Sequence, residues 1–262
     1  MRHAQSTYNE TYATLVEPLP IDNEETENIA HEVATNIELI DARLSATGVQ
    51  QCLEARELVR SLPNLKRVYM SPMRRAIETA HRLFSQTEWF GEMQFIVLPQ
   101  MRERMHTVCD IPVSFDEVKS EWCSKFPTGL DTSLMDPAHP DSWFIDQLDT
   151  KASNKISDFC MPAGMGTLAA ISDVFPERLE SNENVIERSE QVQKFIIDLY
   201  NDDTYSDQTA FVGHSQFFTY LTSDKSAPKT DSAHGGPSSG VFLKNAEFLS
   251  YDRYLKSTTA QE

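Results

Sequence analysis

Four short segments of this chain carry side chains that, taken together, suit phosphorus chemistry. Arg2-His3-Ala4-Gln5-Ser6-Thr7-Tyr8-Asn9 comes first, followed by Ser71-Pro72-Met73-Arg74-Arg75-Ala76, Met101-Arg102-Glu103-Arg104 and Val212-Gly213-His214-Ser215. A neutral imidazole is a competent nucleophile near pH 7. Guanidinium groups match phosphate oxygens with forked, charge-assisted hydrogen bonds. A carboxylic acid protonates a departing alkoxide. Two histidines, two arginines and a carboxylate therefore fit phosphoryl transfer through a covalent phosphohistidine, provided one crevice gathers them.

The elements between these segments have to do that gathering. The chain opens with a polar, turn-prone segment, and the acidic stretch 22–38 reads as a surface excursion with some helix. Leu44-Ser45-Ala46-Thr47-Gly48 reads as a turn, after which Cys52, Ala55, Val59 and Leu62 recur at helical spacing until Pro63 and Asn64 stop them. Arg67-Val68-Tyr69-Met70 is a short strand, and Ser71 and Pro72 suit the N-cap and first position of the next helix. Residues 95–98 and 209–212 read as further strands, and 183–200 as a helix through Val185, Val192, Phe195, Ile196 and Leu199. Val241-Phe242-Leu243 and 247–250 read as closing strands.

This alternation predicts a three-layer α/β/α sandwich with a mostly parallel central sheet. The expected organisation is one domain over 1–262, with an inserted cap at about 104–182 holding helices at 115–125 and near 143–148. In such a sheet, ligands collect at the carboxyl ends of strands. Arg75, Glu103 and His214 each follow a predicted strand.

Neighbouring residues compete for some of these roles. On a helix, Arg74, Glu78 and Arg82 fall at successive i, i+4 positions and read as an exposed ion-pair stripe. Arg75 has Thr79 rather than a carboxylate at i+4 and lies near the helix N-terminus, where anions are favoured. Glu103 sits between two arginines, as surface acids often do, with Asp110 and then Glu92 in reserve as proton donor. His31, His81, His106, His139 and His234 lack such a setting and read as structural. Trp122, Trp143 and Phe144 read as packing within the cap.

Composition narrows the function classes. The formal charge of −17 disfavours nonspecific contact with nucleic acid or an anionic membrane. It also repels phosphate esters, so a few pocket cations must override the field locally. Cys52, Cys109, Cys123 and Cys160 have no metal or disulfide spacing and read as free thiols of a reducing compartment. Apolar runs are only a few residues long, far below the roughly 20 needed to cross a bilayer. A cytoplasmic protein is expected. No HExxH or similar spacing is present, and the chemistry inferred here calls for neither metal nor cofactor.

The pattern resembles the histidine phosphatase (phosphoglycerate mutase-like) superfamily. Its Arg-His-Gly motif, followed by a small hydroxyl residue and an Asn, is matched by Arg2, His3, Ser6 and Asn9, with Ala4 in place of Gly. Its Leu-Thr-x-x-Gly-x-x-Gln segment is similar to residues 44–51, its Ser-x-x-x-Arg-Ala-x-x-Thr helix start to 71–79, and its late Gly-His to Gly213-His214. The resemblance implies His3 as phosphoryl acceptor, with Arg2, Arg75 and His214 holding the phosphate. Glu103 would be the proton donor and then the base that activates water. Ser6, Asn9 and Ser215 would add neutral contacts to phosphate or substrate.

Two departures from the family pattern matter. Only Met1 precedes Arg2, where the family has a buried strand, so either a gap or a replacement is expected beside the sheet. Ala4 removes no catalytic group and is expected to be tolerated. The expected activity is metal-independent hydrolysis of a small phosphomonoester. The alternatives are a non-catalytic phosphate-binding relative and a phosphoglycerate mutase-type phosphotransferase. The insertion after Glu103 does not resemble a mutase substrate region, which favours hydrolysis. The scarce cap cations (Lys119, Lys125, Lys151, Lys155) argue against heavily phosphorylated substrates.

Overall fold

The computed structural model describes residues 1–21, 23–62, 65–135, 143–144, 180–202, 208–223, 237 and 239–250. Strand β1 (Arg67–Met70) lies between β2 (Gln94–Val97) and β4 (Thr209–Val212). Strand β3 (Leu130–Asp131) extends the far edge of β2, giving the order β3-β2-β1-β4 with every pairing parallel.

Side chains alternate across this sheet, as a pleated strand requires. Val68, Met70, Phe95 and Val97 point into one core, where they meet α3 (Ala46–Arg60) and α4 (Arg74–Phe84). Tyr69 and Ile96 point the other way, toward α6 (Asn182–Asn201) and α7 (Ser215–Leu221). The result is the expected three-layer α/β/α arrangement. Helices α1 (Thr7–Leu15) and α2 (Glu24–Thr35) contribute Tyr8, Tyr12 and Val33 to the first core, and α5 (Phe115–Trp122) contributes Val118 and Trp122.

The loop bearing His3 is held by α3 and α4. Ser45 caps α3, its hydroxyl accepting the Gly48 amide at 3.1 Å, so the expected turn at 44–48 is the start of the helix itself. The Ser45 amide donates to the Gln5 carbonyl at 3.0 Å, and the Gln5 amide donates to Gln51 Oε1 at 2.9 Å. Gly48 permits this approach, because a Cβ there would stand 2.0 Å from the Gln5 carbonyl oxygen. From α4, Thr79 Oγ1 accepts the Ala4 amide at 3.1 Å. Ala4 is fully buried, and its φ is not among the positive values, so the methyl group is accommodated without strain.

Several expectations need correction. Helix α4 begins at Arg74, two residues later than the Ser71-Pro72 signal implied, and the buried Asp41 caps it by accepting the Arg74 amide at 3.0 Å. Ser71 instead accepts the Met73 amide and contacts His214. The exposed stripe is not exposed. The Arg74 side chain is only 13% accessible, donating to the carbonyls of Ile40 and Asp41, and Glu78 is buried where it receives the Leu44 amide and Arg82. Helical periodicity reports neighbours within the helix, whereas Asp41 and Leu44 arrive from another segment.

The predicted closing strands also do not form. Lys244 to Glu247 make a turn whose backbone serves the N-terminal motif: Arg2 donates its amide to the Glu247 carbonyl and Nη1 to the Leu243 carbonyl. On its other side Arg2 bridges in parallel to Gly213, so a short stub stands where a gap or a replacement was expected. Most of the predicted cap, including the helix near 143–148, lies outside the described residues. Its described beginning does more than cover the sheet, since it supplies β3.

Candidate active site

His3 and His214 meet beyond the carboxyl end of β4, their ring centroids 5.0 Å apart. The Ala4 carbonyl lies 2.6 Å from His3 Nδ1. A carbonyl oxygen only accepts, so Nδ1 carries the proton and Nε2 keeps its lone pair. Burial, followed by the fields of Arg75 and Arg2, pushes the His3 imidazole well below its ordinary 6.5. A cationic imidazole has no lone pair to donate, so these influences keep His3 nucleophilic.

His214 stands at the N-cap of α7 and is fully buried. Its Nε2 lies 2.7 Å from Ser71 Oγ, which already accepts the Met73 amide. The arrangement that leaves fewest unmet groups has the Ser71 hydroxyl donating to Nε2 and the proton on Nδ1. Nδ1 is then a buried donor without a partner. Burial, Arg75, His3 and Arg2 keep this imidazole neutral as well.

Both arginines act electrostatically on these rings. Arg2 packs over Phe242, and its Nε is a second buried nitrogen without a partner. Burial lowers its guanidinium to about 10, opposed by Glu103. Arg75 is held by the Cys109 carbonyl at 2.7 Å and Asp110 Oδ1 at 3.0 Å. Asp110 is itself fixed by the amides of His106 and Thr107. It stands beside the pocket arginine, where the sequence had made it the reserve acid. Glu92 is remote from this role, exposed and paired with Lys66.

Glu103 is buried, and its two arginine neighbours do not pair with it. Its carboxylate accepts the amides of Phe217 at 2.9 Å, Gln216 at 3.2 Å and Arg104 at 2.9 Å, so it sits on the N-terminal end of α7. Burial and then Asp110 raise its carboxyl above the ordinary range, against the pull of these amides and Arg75. That direction suits an acid that must hold a proton.

The remaining candidates are more structural. Ser6 caps α1 and forms a reciprocal box with Asn9, each side chain meeting the other's backbone amide. Ser215 is buried in the first turn of α7. His81 packs against Phe90, Trp122 and Phe126, and His31 and His106 are exposed. Trp122, Trp143 and Phe144 are buried in the first core. Sequence reasoning missed Ser71 and Thr79 as supports for His214 and Ala4. The family-like helix start held both, but Ser71 was read as an N-cap and Thr79 only as the i+4 neighbour of Arg75.

Residues 25–136 match the model of the histidine phosphatase superfamily (branch 1). The match spans Arg75 and Glu103 and leaves His3 and His214 outside it. No curated protein matches the chain. Among solved structures, the ecdysone phosphate phosphatase of Bombix mori in complex with tungstate is 14% identical with a TM-score of 0.43, covering 95% of this chain and 92% of its own. A putative alpha-ribazole-5'-P phosphatase from Escherichia coli is 14% identical with a TM-score of 0.40, over 84% and 74%. The mycobacterial glucosyl-3-phosphoglycerate phosphatase in complex with VO3 is 17% identical with a TM-score of 0.37, over 84% and 77%. Likenesses as loose as these carry no information about substrate.

Proposed function

We propose that this chain, whose residues 25–136 match the histidine phosphatase superfamily model, hydrolyses small phosphate monoesters by way of a phosphohistidine on His3. One observation carries the reading. Among the described residues, Arg2 Nε and His214 Nδ1 are buried nitrogens without partners, and both residues act electrostatically on His3, whose imidazole is kept neutral. Leaving a buried donor unmet costs roughly 1–3 kcal/mol. A phosphate oxygen bound beside His3 would relieve that cost.

In this mechanism, Nε2 of His3 attacks phosphorus as the bond to the leaving oxygen breaks. Arg2, Arg75 and His214 hold the equatorial oxygens, where negative charge concentrates. Glu103 gives its proton to the departing alkoxide, then takes one from the water that splits the phosphohistidine. Asp110 competes with phosphate for Arg75, which limits the anionic charge the pocket accepts and favours a single phosphate group.

The test is hydrolysis of a glycerol phosphate and a nitrophenyl phosphate by the full chain, with His3→Ala as control. Wild-type turnover that falls by about 10³-fold or more in the variant is expected; turnover unchanged in His3→Ala overturns the mechanism. Vanadate binding without turnover would point to a phosphate-binding relative. Return of phosphate to an acceptor alcohol faster than to water would point to a phosphotransferase.

A further inference from the structure

Beneath Glu103 lies a second set of charges that the proposed chemistry does not use. Glu180, fully buried just ahead of α6, receives both terminal nitrogens of Arg102 at 2.8 Å. Arg188 of α6 donates to the same carboxylate through Nε at 3.1 Å and Nη2 at 3.0 Å. The Met105 amide adds a further bond at 3.0 Å. Arg102 and Arg188 are 0% and 4% exposed. Burial alone would raise the Glu180 carboxyl, but Arg102 and Arg188 bring it down to about 2.

The Arg102 and Met105 contacts end on the segment that carries Glu103. Arg188 Nη1 also donates to the carbonyls of Gln100 at 2.6 Å and Arg102 at 2.9 Å. Arg104, on the other side of Glu103, donates to the Glu180 carbonyl and to the Tyr220 hydroxyl. The Arg188 guanidinium lies 4.9 Å from the centre of the Phe217 ring, and the Phe217 amide holds Glu103 Oε1. One arginine therefore braces both the loop beneath the carboxylate and the helix end that binds it.

Stability alone gives little reason for such a cluster, since buried ion pairs are often replaceable by apolar side chains at no loss. Fixed geometry is what a forked, fully bonded guanidinium–carboxylate pair provides. We infer that Glu180 and Arg188 are positioning residues for Glu103, holding its carboxylate on the α7 N-terminus where a leaving oxygen is protonated. This inference rests on Glu103 being the proton donor.

General-acid help matters most for a poor leaving group and little for a good one, which separates positioning from general damage. The full chain and its Glu103→Gln, Glu180→Gln and Arg188→Lys variants are compared on a glycerol phosphate, whose alkoxide leaves poorly, and on dinitrophenyl phosphate, whose phenoxide leaves without help. Compared as kcat/KM, which ends at phosphorylation of His3 and so excludes the water step that Glu103 also serves, Glu103→Gln is expected to lose far more on the alkyl ester than on the aryl ester. Glu180→Gln and Arg188→Lys should repeat that selectivity with a smaller loss, about tenfold to a hundredfold in kcat/KM on the alkyl ester. KM should be unchanged, and the alkaline limb of the pH profile should move.

Equal losses on both esters, or none, in folded Glu180→Gln and Arg188→Lys overturn the inference while leaving Glu103 as donor. Absence of selectivity in Glu103→Gln instead removes the premise, and the inference falls with it. Should Glu180→Gln fail to fold, Arg188→Lys keeps the charge, removes the fork and decides alone.

Discussion

His3 and His214 share a pocket but are tuned by different second partners. A carbonyl fixes the proton on Nδ1 of His3, and a hydroxyl turns His214 so that its Nδ1 is the donor. Ser71→Ala removes that hydroxyl and frees the tautomer of His214. Its expected effect is about tenfold weaker vanadate inhibition, as befits a hydrogen bond worth about 1.4 kcal/mol. An inhibition constant equal to wild type would show that His214 keeps its orientation without Ser71. His3, His214, Arg75 and Glu103 could be proposed from the sequence because each has a strand end or a motif beside it. Ser71's task was not, since its partner is 143 positions away. Glu180 was equally hidden. It lies 78 positions from Arg102, and an isolated acid gives no sign that it will be buried between two guanidiniums.

Among the elements, α3 holds no candidate site residue but sets the loop that bears His3. Its first turn lies against Gln5, with Gly48 at the closest approach. Gly48→Ala must push helix and loop apart, because nothing relieves a methyl group 2.0 Å from a backbone oxygen. A loss of about 1–3 kcal/mol in urea unfolding is expected, with a fall in kcat larger than any change in KM. The segment 44–51 was recognisable from sequence as a motif, yet its purpose required the neighbouring backbone. Strands β1 and β4 were read at their observed bounds because short apolar runs between turn signals leave little choice. The region 241–250 misled for the opposite reason. Its apolar alternation suits a strand, but the backbone there is engaged by Arg2.

At the scale of the whole molecule, two buried carboxylates give the stability opposite pH dependences. Glu180, brought down from 4.5 to about 2, stabilises the fold fully above its unfolded value and loses that contribution as pH falls through about 2. Asp41 is raised by burial from 3.8 to about 6, so its contribution is present below 3.8 and is lost as pH climbs through about 6. Urea unfolding across this range should show the acid-side loss shrinking by about 3 kcal/mol in Glu180→Gln. An acid limb as steep as wild type would mean that Glu180 does not govern it. Strand β4 has one more consequence, in the order of folding. It is the strand that delivers His214, and it pairs in parallel with β1 only after a long crossover. Closing so long a loop is slow compared with helix formation. On refolding from urea, phosphatase activity should therefore return after helical circular dichroism has already recovered, making turnover a clock for the last strand to dock.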